Sequence, residues 1–323
     1  RVNGTENLVA VISWRRARLD IALITADNKI AFRDQIPLTE EEDKVDKITS
    51  TFFNIMKPKV GDRRIMGLCI IIPGIIDAEN KRILSTVIGV GYSDPVVQRF
   101  EEAFHDYPFC LLNDTACFAY AEYVFANITE PNFAYINVSK GVGACLFANG
   151  KMLRGAGSNA TQFGHFSIDR NGPLCACGNH GCVERVVGEN ALTERAEACG
   201  IDLTRFAGRK PLYCDIGAMA EDGDAHAKEL IKDLAVDLSF ANLITLFNPS
   251  LVVIGGMGVN LGPFFLSNIR DEVQNSGFKE FVSNTWIQYS TLGLDSELGG
   301  AARYYIDRYY DFFEQMQGGL YAD

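Results

Sequence analysis

The sequence predicts an α/β fold built twice, as two βββαβα halves around a cleft. Three observations point to it. A three-strand meander opens the chain, and a second meander opens about 125 residues later. Helical periodicity follows each meander before another buried apolar strand. Each copy would therefore build one α/β layer with a core of its own.

Residues 8–12 (Leu-Val-Ala-Val-Ile) and 19–24 read as apolar strands, and Thr25-Ala26-Asp27-Asn28 turns the chain into a third from about Lys29. From Glu40, the apolar positions Val45, Ile48, Phe52 and Met56 fall at helical spacing behind an acidic first turn. Residues 67–72 then make a buried strand, 95–105 a helix, 109–112 a short strand ending at Asn113-Asp114, and 115–126 a helix. The second meander comprises strands 133–138 and 143–147 and the turn Ala148-Asn149-Gly150-Lys151-Met152, which echoes Ala26-Asp27-Asn28-Lys29-Ile30. One long apolar helix is expected over about 225–247, stopped by Asn248-Pro249, before strand 251–254 and Gly255-Gly256. An aromatic-rich closing helix is expected over 301–316, with 317–323 frayed. The domain division that follows is 1–114 plus 301–323 for the first half and 115–300 for the second.

With 323 residues, 47% hydrophobic and 22% charged, the chain has ordinary globular composition and suits two domains. Forty-one Asp and Glu stand against 30 Lys and Arg, a formal charge of −11 that opposes a nucleic-acid or anionic-membrane surface within these residues. The longest apolar run, 68–76, is interrupted by Pro73 and Gly74 and is far shorter than the ~20 residues that span a bilayer. No membrane partner is expected. The start, Arg1-Val2-Asn3-Gly4, carries neither a signal-peptide pattern nor an initiator Met, so the expectation is a cytoplasmic chain cut from a longer one. Nine cysteines, an odd number, do not suggest a secreted disulfide framework.

Three of those cysteines crowd together. His165, Cys175, Cys177 and Cys182 are spaced H-x9-C-x-C-x4-C, with Gly172, Gly178 and Gly181 among them. Thiolates and one imidazole in a tight glycine-rich loop suit tetrahedral Zn²⁺, and four protein ligands make a closed, structural site. His180 is the rival imidazole, but it sits on a short tether between Cys177 and Cys182. Cys69, Cys110, Cys117, Cys145, Cys199 and Cys214 lie in apolar stretches and read as small core residues.

The stretch Gln162-Phe163-Gly164-His165, followed by Cys175-Ala176-Cys177-Gly178-Asn179-His180-Gly181-Cys182-Val183-Glu184, closely resembles the zinc-loop signature of the ROK family of sugar-responsive repressors and sugar kinases. Pro73-Gly74, Gly91-Tyr92, Asn113-Asp114, Gly141-Val142-Gly143 and Gly255-Gly256 fall in the family's order, so the resemblance covers nearly the whole chain. It implies the actin-like, ribonuclease H-like two-domain fold with a zinc loop at 165–184. It also implies that Asn113, Asp114, His165 and Glu184 hold sugar hydroxyls, with His165 binding Zn²⁺ through its other ring nitrogen. On its residues alone, Asp114 reads as a helix cap; in the family's kinases the matching Asp is the base that takes the hydroxyl proton.

Two departures stand out. The family's Gly-Glu-x-Gly-His reads Thr161-Gln162-Phe163-Gly164-His165 here, so a carboxylate that would contact sugar has become the Gln162 amide. The kinases' Asp-x-Gly-Gly-Thr phosphate loop aligns with Ser13-Trp14-Arg15-Arg16-Ala17-Arg18, which lacks the Asp, both glycines and the Thr. The second phosphate loop reads Ser139-Lys140-Gly141-Val142-Gly143, with Lys in place of the usual Thr. Arg15, Arg16 and Lys140 read as solvated side chains, as a clamp for an anion such as a sugar phosphate, or as an aberrant nucleotide loop. Gly255-Gly256-Met257-Gly258 resembles the kinases' adenosine-side glycines, a turn common to many α/β folds.

The expectation is a sugar-sensing effector domain of a ROK-type transcriptional repressor of carbohydrate metabolism, which binds a sugar or sugar phosphate in the interdomain cleft without catalysis. The resemblance further implies a homodimer or tetramer, and a winged helix-turn-helix upstream of Arg1 that would carry operator DNA. The enzyme alternative is an ATP- and Mg²⁺-dependent hexokinase or N-acetylhexosamine kinase with Asp114 as base. A third is a stand-alone degenerate sugar-binding protein.

Overall fold

The computed structural model describes residues 4–77, 80–86, 95–156, 160–238 and 240–310. Contacts divide the chain into two units of similar size. The first contains Arg1–Ile128, Gly155–Asn159 and Leu292–Asp323, and the second Thr129–Arg154 and Ala160–Thr291.

The first unit begins with the meander β1 (Asn7–Trp14), β2 (Arg18–Thr25) and β3 (Ile30–Pro37). Then come α1 (Lys44–Thr51), β4 (Arg64–Ile72), β5 (Gly74–Asp77), β6 (Arg82–Thr86), α2 (Val96–Ala103), β7 (Phe109–Asn113) and α3 (Asp114–Phe125). Its main sheet runs β3-β2-β1-β4-β7, with β1, β4 and β7 parallel. Leu8 through Trp14 are all buried, because β1 is central and covered on both faces; that is why it reads as an unbroken apolar run rather than an alternation. β3 is the edge, and its Arg33 and Asp34 oppose edge-to-edge pairing.

The helix expected from Glu40 starts at Lys44. Asp43 caps it by accepting from the Asp46 N–H at 3.0 Å, and the Lys44 ammonium is taken up by loop carbonyls, including that of Glu42 at 2.8 Å. Val45, Ile48, Phe52 and Met56 are all buried, the last two on a π-helical turn, Phe52–Met56.

The second unit repeats the plan. Its meander is β8 (Phe133–Val138), β9 (Val142–Ala148) and the short β10 (Lys151–Met152). Helices α4 (Val183–Val187), α5 (Leu192–Ala198), α6 (Tyr213–Glu221), α7 (Ala225–Asp237) and α8 (Phe240–Phe247) precede β11 (Leu251–Gly255), α9 (Gly262–Ser276), α10 (Lys279–Val282) and β12 (Trp286–Tyr289). The sheet order β10-β9-β8-β11-β12 has the same connectivity as the first sheet, with the same antiparallel and parallel pairings. The duplicated fold expected from the two meanders is thus present, and each unit has its own apolar core. The single helix expected over 225–247 is two, α7 and α8, with residue 239 outside the described residues.

The last helix, α11 (Ser296–Tyr309), returns to the first unit and packs on α3. The helices approach so closely that a Cβ on Gly300 would lie 2.0 Å from the Cys117 carbonyl oxygen. Tyr305 covers Gly67 and donates to the Met66 carbonyl at 3.3 Å. This packing moves the expected boundaries: α3 and residues 292–300 join the first unit, so the division falls at 128/129 and 291/292, not 114/115 and 300/301. Cys69, Cys110, Cys117 and Cys145 are buried as expected, whereas Cys199 is half-buried and Cys214 is exposed, each near a helix end. Gly91-Tyr92 and residues 311–323 lie outside the described residues. Among the described residues, no helix is long and apolar enough to cross a membrane.

Because the obstructing atom is backbone, Gly300→Ala is expected to force α11 off α3 and destabilise the chain by about 1–3 kcal/mol. Urea unfolding of the purified variant measures this, and an unchanged midpoint would contradict the packing.

Candidate metal centre and sugar-contact residues

His165 ends a single 3₁₀ turn, Phe163–His165, which is seated on β9: a Cβ at Gly164 would come 1.8 Å from the Val142 carbonyl oxygen. The chain then loops out and back, joined by hydrogen bonds from Ile168 N–H to Gly181 O (2.9 Å), Gly181 N–H to Pro173 O (2.9 Å) and Val183 N–H to Phe166 O (3.0 Å). Gly181 has φ +60° and a Cβ there would meet the Asp169 carbonyl oxygen at 1.9 Å, so only glycine closes this loop.

The fold brings the donor atoms of His165, Cys175, Cys177 and Cys182 within 4.8 Å of one another. Cys175 Sγ is 3.6 Å from His165 Nδ1, and Cys177 Sγ is 3.6 Å from Cys182 Sγ. Zn–S bonds of about 2.3 Å put tetrahedral sulfurs about 3.8 Å apart, so the cluster matches that ion's size and donor chemistry. The imidazole in the cluster belongs to His165. His180 is exposed, with Nδ1 3.0 Å from the Gly172 carbonyl oxygen.

Glu184, on the first turn of α4, closes the other end of the loop. Its Oε2 accepts from the Val142 N–H at 3.3 Å and occupies the space a Cβ on Gly141 would need. His165 and Glu184 are therefore both fixed on the turn between β8 and β9. Gln162, just before the 3₁₀ turn, is exposed. Lys140 is exposed too, and its charge acts on Glu189, opposing the burial that raises the Glu189 carboxyl. Ser139 Oγ joins this turn to the one after β11, donating to Asn137 Oδ1 (3.1 Å) and accepting from Met257 N–H (3.1 Å). Gly256, at φ +79°, fits there because a Cβ would strike Asn137 Oδ1 at 2.2 Å.

In the first unit, the helix cap is Asn113 rather than Asp114. Asn113 Oδ1 accepts from Ala116 N–H at 3.0 Å, and its Nδ2 donates to Gly74 O at 2.6 Å. Asp114 is the first residue of α3, half-buried, accepting from Thr115 N–H at 2.8 Å. Burial raises its pKa, and Arg15 is the largest opposing influence.

Residues 13–18 form a tight hairpin closed by Arg15 N–H to Arg18 O at 2.9 Å, and none of them has a left-handed backbone. Trp14 is buried in the core, and Arg16 is exposed. Arg15 is paired: Nη2 donates to Glu297 Oε1, and Nε lies 3.5 Å from Asp20 Oδ2. Asp20 Oδ1 accepts from Arg18 Nε and Gln35 Nε2, both at 2.8 Å. Glu297 is 1% exposed, and its Oε2 is buried without a hydrogen-bond partner. Burial, with Asp114 adding to it, pushes the Glu297 carboxyl up to about 7 even beside Arg15.

Asp20 and Glu297 were not singled out from the sequence. Their signal was a carboxylate inside an apolar strand (Leu19-Asp20-Ile21) and another before the small-residue run Leu298-Gly299-Gly300-Ala301-Ala302. Asn113, Asp114 and the arginines belong to the first unit, and Gln162, His165, Glu184 and Lys140 to the second.

This fold, with a duplicated sheet and a Cys3His loop fixed to the second meander, defines an actin-like α/β protein. The sequence matches the ROK family over residues 13–308, and the chain belongs to that family. It is 26% identical over 250 residues to the xylose repressor of Bacillus subtilis (strain 168), covering 76% of this chain and 62% of the repressor's own length. A crystal structure of a ROK family transcriptional regulator, a homologue of the E. coli Mlc protein, aligns with TM-score 0.79 and 24% identity over 93% of this chain and 78% of its own. The ROK hexokinase of Thermus thermophilus aligns with TM-score 0.75 and 22% identity, over 93% of this chain and 98% of its own. At these identities the two structural likenesses establish the fold.

Glu297 binds its proton more tightly folded than unfolded, since about 7 exceeds the ordinary 4.5. Its contribution to stability is therefore favourable at low pH and is lost as pH rises through 7. Relative to Glu297→Gln, which does not titrate, the parent is expected to lose up to about 3 kcal/mol between pH 5 and pH 8. Urea unfolding of both chains at the two pH values checks this; an equal gap at both would contradict it.

Proposed function

We propose that these residues form the sugar-sensing domain of a ROK-family transcriptional regulator, binding a sugar or sugar derivative without phosphorylating it. The observation that carries this reading is the 13–18 hairpin. At the position of the kinases' phosphate loop it has no glycine, no left-handed backbone and no exposed carboxylate. Its inward cation, Arg15, is already engaged by Glu297 and Asp20. Phosphoryl transfer depends on a positioned Mg²⁺ and close backbone approach to the phosphates, and this hairpin offers neither a carboxylate for the metal nor glycines for that approach. The repressor relatives favour the same reading.

In this reading Asp114, Gln162, His165 and Glu184 take the sugar hydroxyls, and Asn113 fixes the helix start that presents Asp114. Ligand would favour one state of the regulator to the extent that its affinity differs between states. Contact with operator DNA is assigned to a part of the protein outside these acidic residues, and assembly to a homodimer or tetramer. His165, Cys175, Cys177 and Cys182 would hold a structural Zn²⁺, which ties the Gln162–His165 side of the loop to Glu184.

The kinase reading retains one point in its favour, the likeness to ROK hexokinase and glucokinase folds. A coupled assay with ATP, Mg²⁺ and a panel of hexoses and N-acetylhexosamines separates the two. Turnover above ~1 s⁻¹ would overturn the regulator reading. A thermal-shift screen is expected to show stabilisation by a sugar or sugar phosphate and none by ATP with Mg²⁺, about 2.7 kcal/mol at a ligand concentration of 100 Kd.

Elemental analysis is expected to find about one zinc per chain, with Cys182→Ser losing it and a chelator lowering the melting temperature. A metal-free chain of undiminished stability would remove the zinc assignment.

A further inference from the structure

We propose that Arg15, clamped by Glu297 and Asp20 at the carboxyl edge of the first sheet, is a positioning residue for Asp114: a tethered cation beside the start of α3 that favours this carboxylate as the acceptor of a ligand's hydroxyl. The proposal rests on the reading of Asp114 as a sugar contact.

The geometry comes from the sheet. In the parallel trio β1, β4 and β7, Ser13 lies opposite Ile71 and Asn113 opposite Ile72, so the three strands end nearly level. Arg15 follows the end of β1 and Asp114 the end of β7, with only β4 between them. Two strand spacings of about 4.8 Å separate these ends, within reach of an arginine side chain. This is the carboxyl edge of the sheet, where open α/β sheets take their ligands. The first turn of α11 delivers Glu297 to the same edge, and the close packing of α11 on α3 ties Glu297 to the helix that begins with Asp114.

Charge is unevenly shared at that edge. Asp20 is satisfied by Arg18 and Gln35, each at 2.8 Å, and gives Arg15 only a 3.5 Å ionic contact. Glu297 binds Arg15 through one oxygen and leaves the other buried without a partner. Among the described residues, the charged groups that act on Asp114 include Arg15 from the hairpin and Glu297 from α11, with Asp20 on β2 behind Arg15. Arg15 lowers the Asp114 carboxyl against the effect of burial, while Asp114 in turn raises Glu297. A guanidinium does not lose its proton in any ordinary pH range, so this cation needs neither metal nor nucleotide.

Arg15→Met alone would strand Glu297, so the test compares Glu297→Gln with the double variant Arg15→Met/Glu297→Gln, both free of ligand. The Asp114 carboxyl is followed by ¹³C NMR and assigned by its absence in Asp114→Asn. Removing Arg15 is expected to raise the Asp114 midpoint by about one pH unit or more, and Arg15→Lys/Glu297→Gln to restore most of it. Glu297→Gln by itself is expected to leave the midpoint near the parent's, because Glu297, held up to about 7, is already protonated where Asp114 titrates; Arg15→Gln/Glu297→Gln replaces the double variant if that one does not fold. A midpoint that moves in none of these chains overturns the proposal and leaves Arg15 a structural ion pair. A second arm uses the sugar that stabilises the parent most in the thermal-shift screen. Its affinity is expected to fall more steeply as pH drops in the Arg15→Met double variant than in Glu297→Gln, and the two are expected to converge at high pH. If the parent binds no sugar, the sugar-site reading fails, while the NMR arm still decides the role of Arg15.

Discussion

A guanidinium held against a carboxylate that is almost wholly removed from water is the constraint on which the first unit turns. Glu297 is 1% exposed, and ionising it without a partner would cost several kcal/mol. Arg15 supplies that partner from the opposite end of the sequence, where β1 turns into β2. The pair joins the first hairpin to the last helix, and that helix lies so tightly on α3 that only glycine fits at the crossing. The hairpin, α11 and the helix start bearing Asp114 are thus one mechanical piece.

The second unit solves a similar problem with a different device. Its turn between β8 and β9 is approached by Gly164 from one side and by Glu184 from the other, both within distances that exclude a side chain. Between those two points the chain makes a loop of 18 residues, His165 to Cys182, with little apolar content to hold it. A four-donor cluster lies at its base, where a structural metal would close a segment too small to build a core. Candidate sugar contacts at 165 and 184 are therefore set by backbone packing and by the cluster together, and Gln162 hangs from the same turn.

The Cys3His cluster was legible because donor spacing is written locally in the chain, and the choice of His165 over His180 as its imidazole followed from tether length. The basic hairpin was legible only as an oddity. Solvated arginines, anion clamp and aberrant nucleotide loop all suit the string Arg15-Arg16-Ala17-Arg18, since a charged residue's partner is not encoded beside it. Glu297 lies 282 positions from Arg15, and nothing local to either residue announces the other. The cap was misassigned for a related reason: Asn113 and Asp114 are both good caps, and only the strand's exit direction decides which one faces the free N–H groups.

Sequence alone determined the duplicated α/β plan, the strands of the two meanders and the cysteine-histidine spacing, because periodicity and ligand spacing are local properties of a chain. Tertiary structure decided where the units divide, that α3 and the segment before α11 belong to the first, and which carboxylates share Arg15. Those outcomes depend on which surfaces pack together across hundreds of residues, and burial, which sets both charge pairing and helix contacts, exists only once the chain has folded.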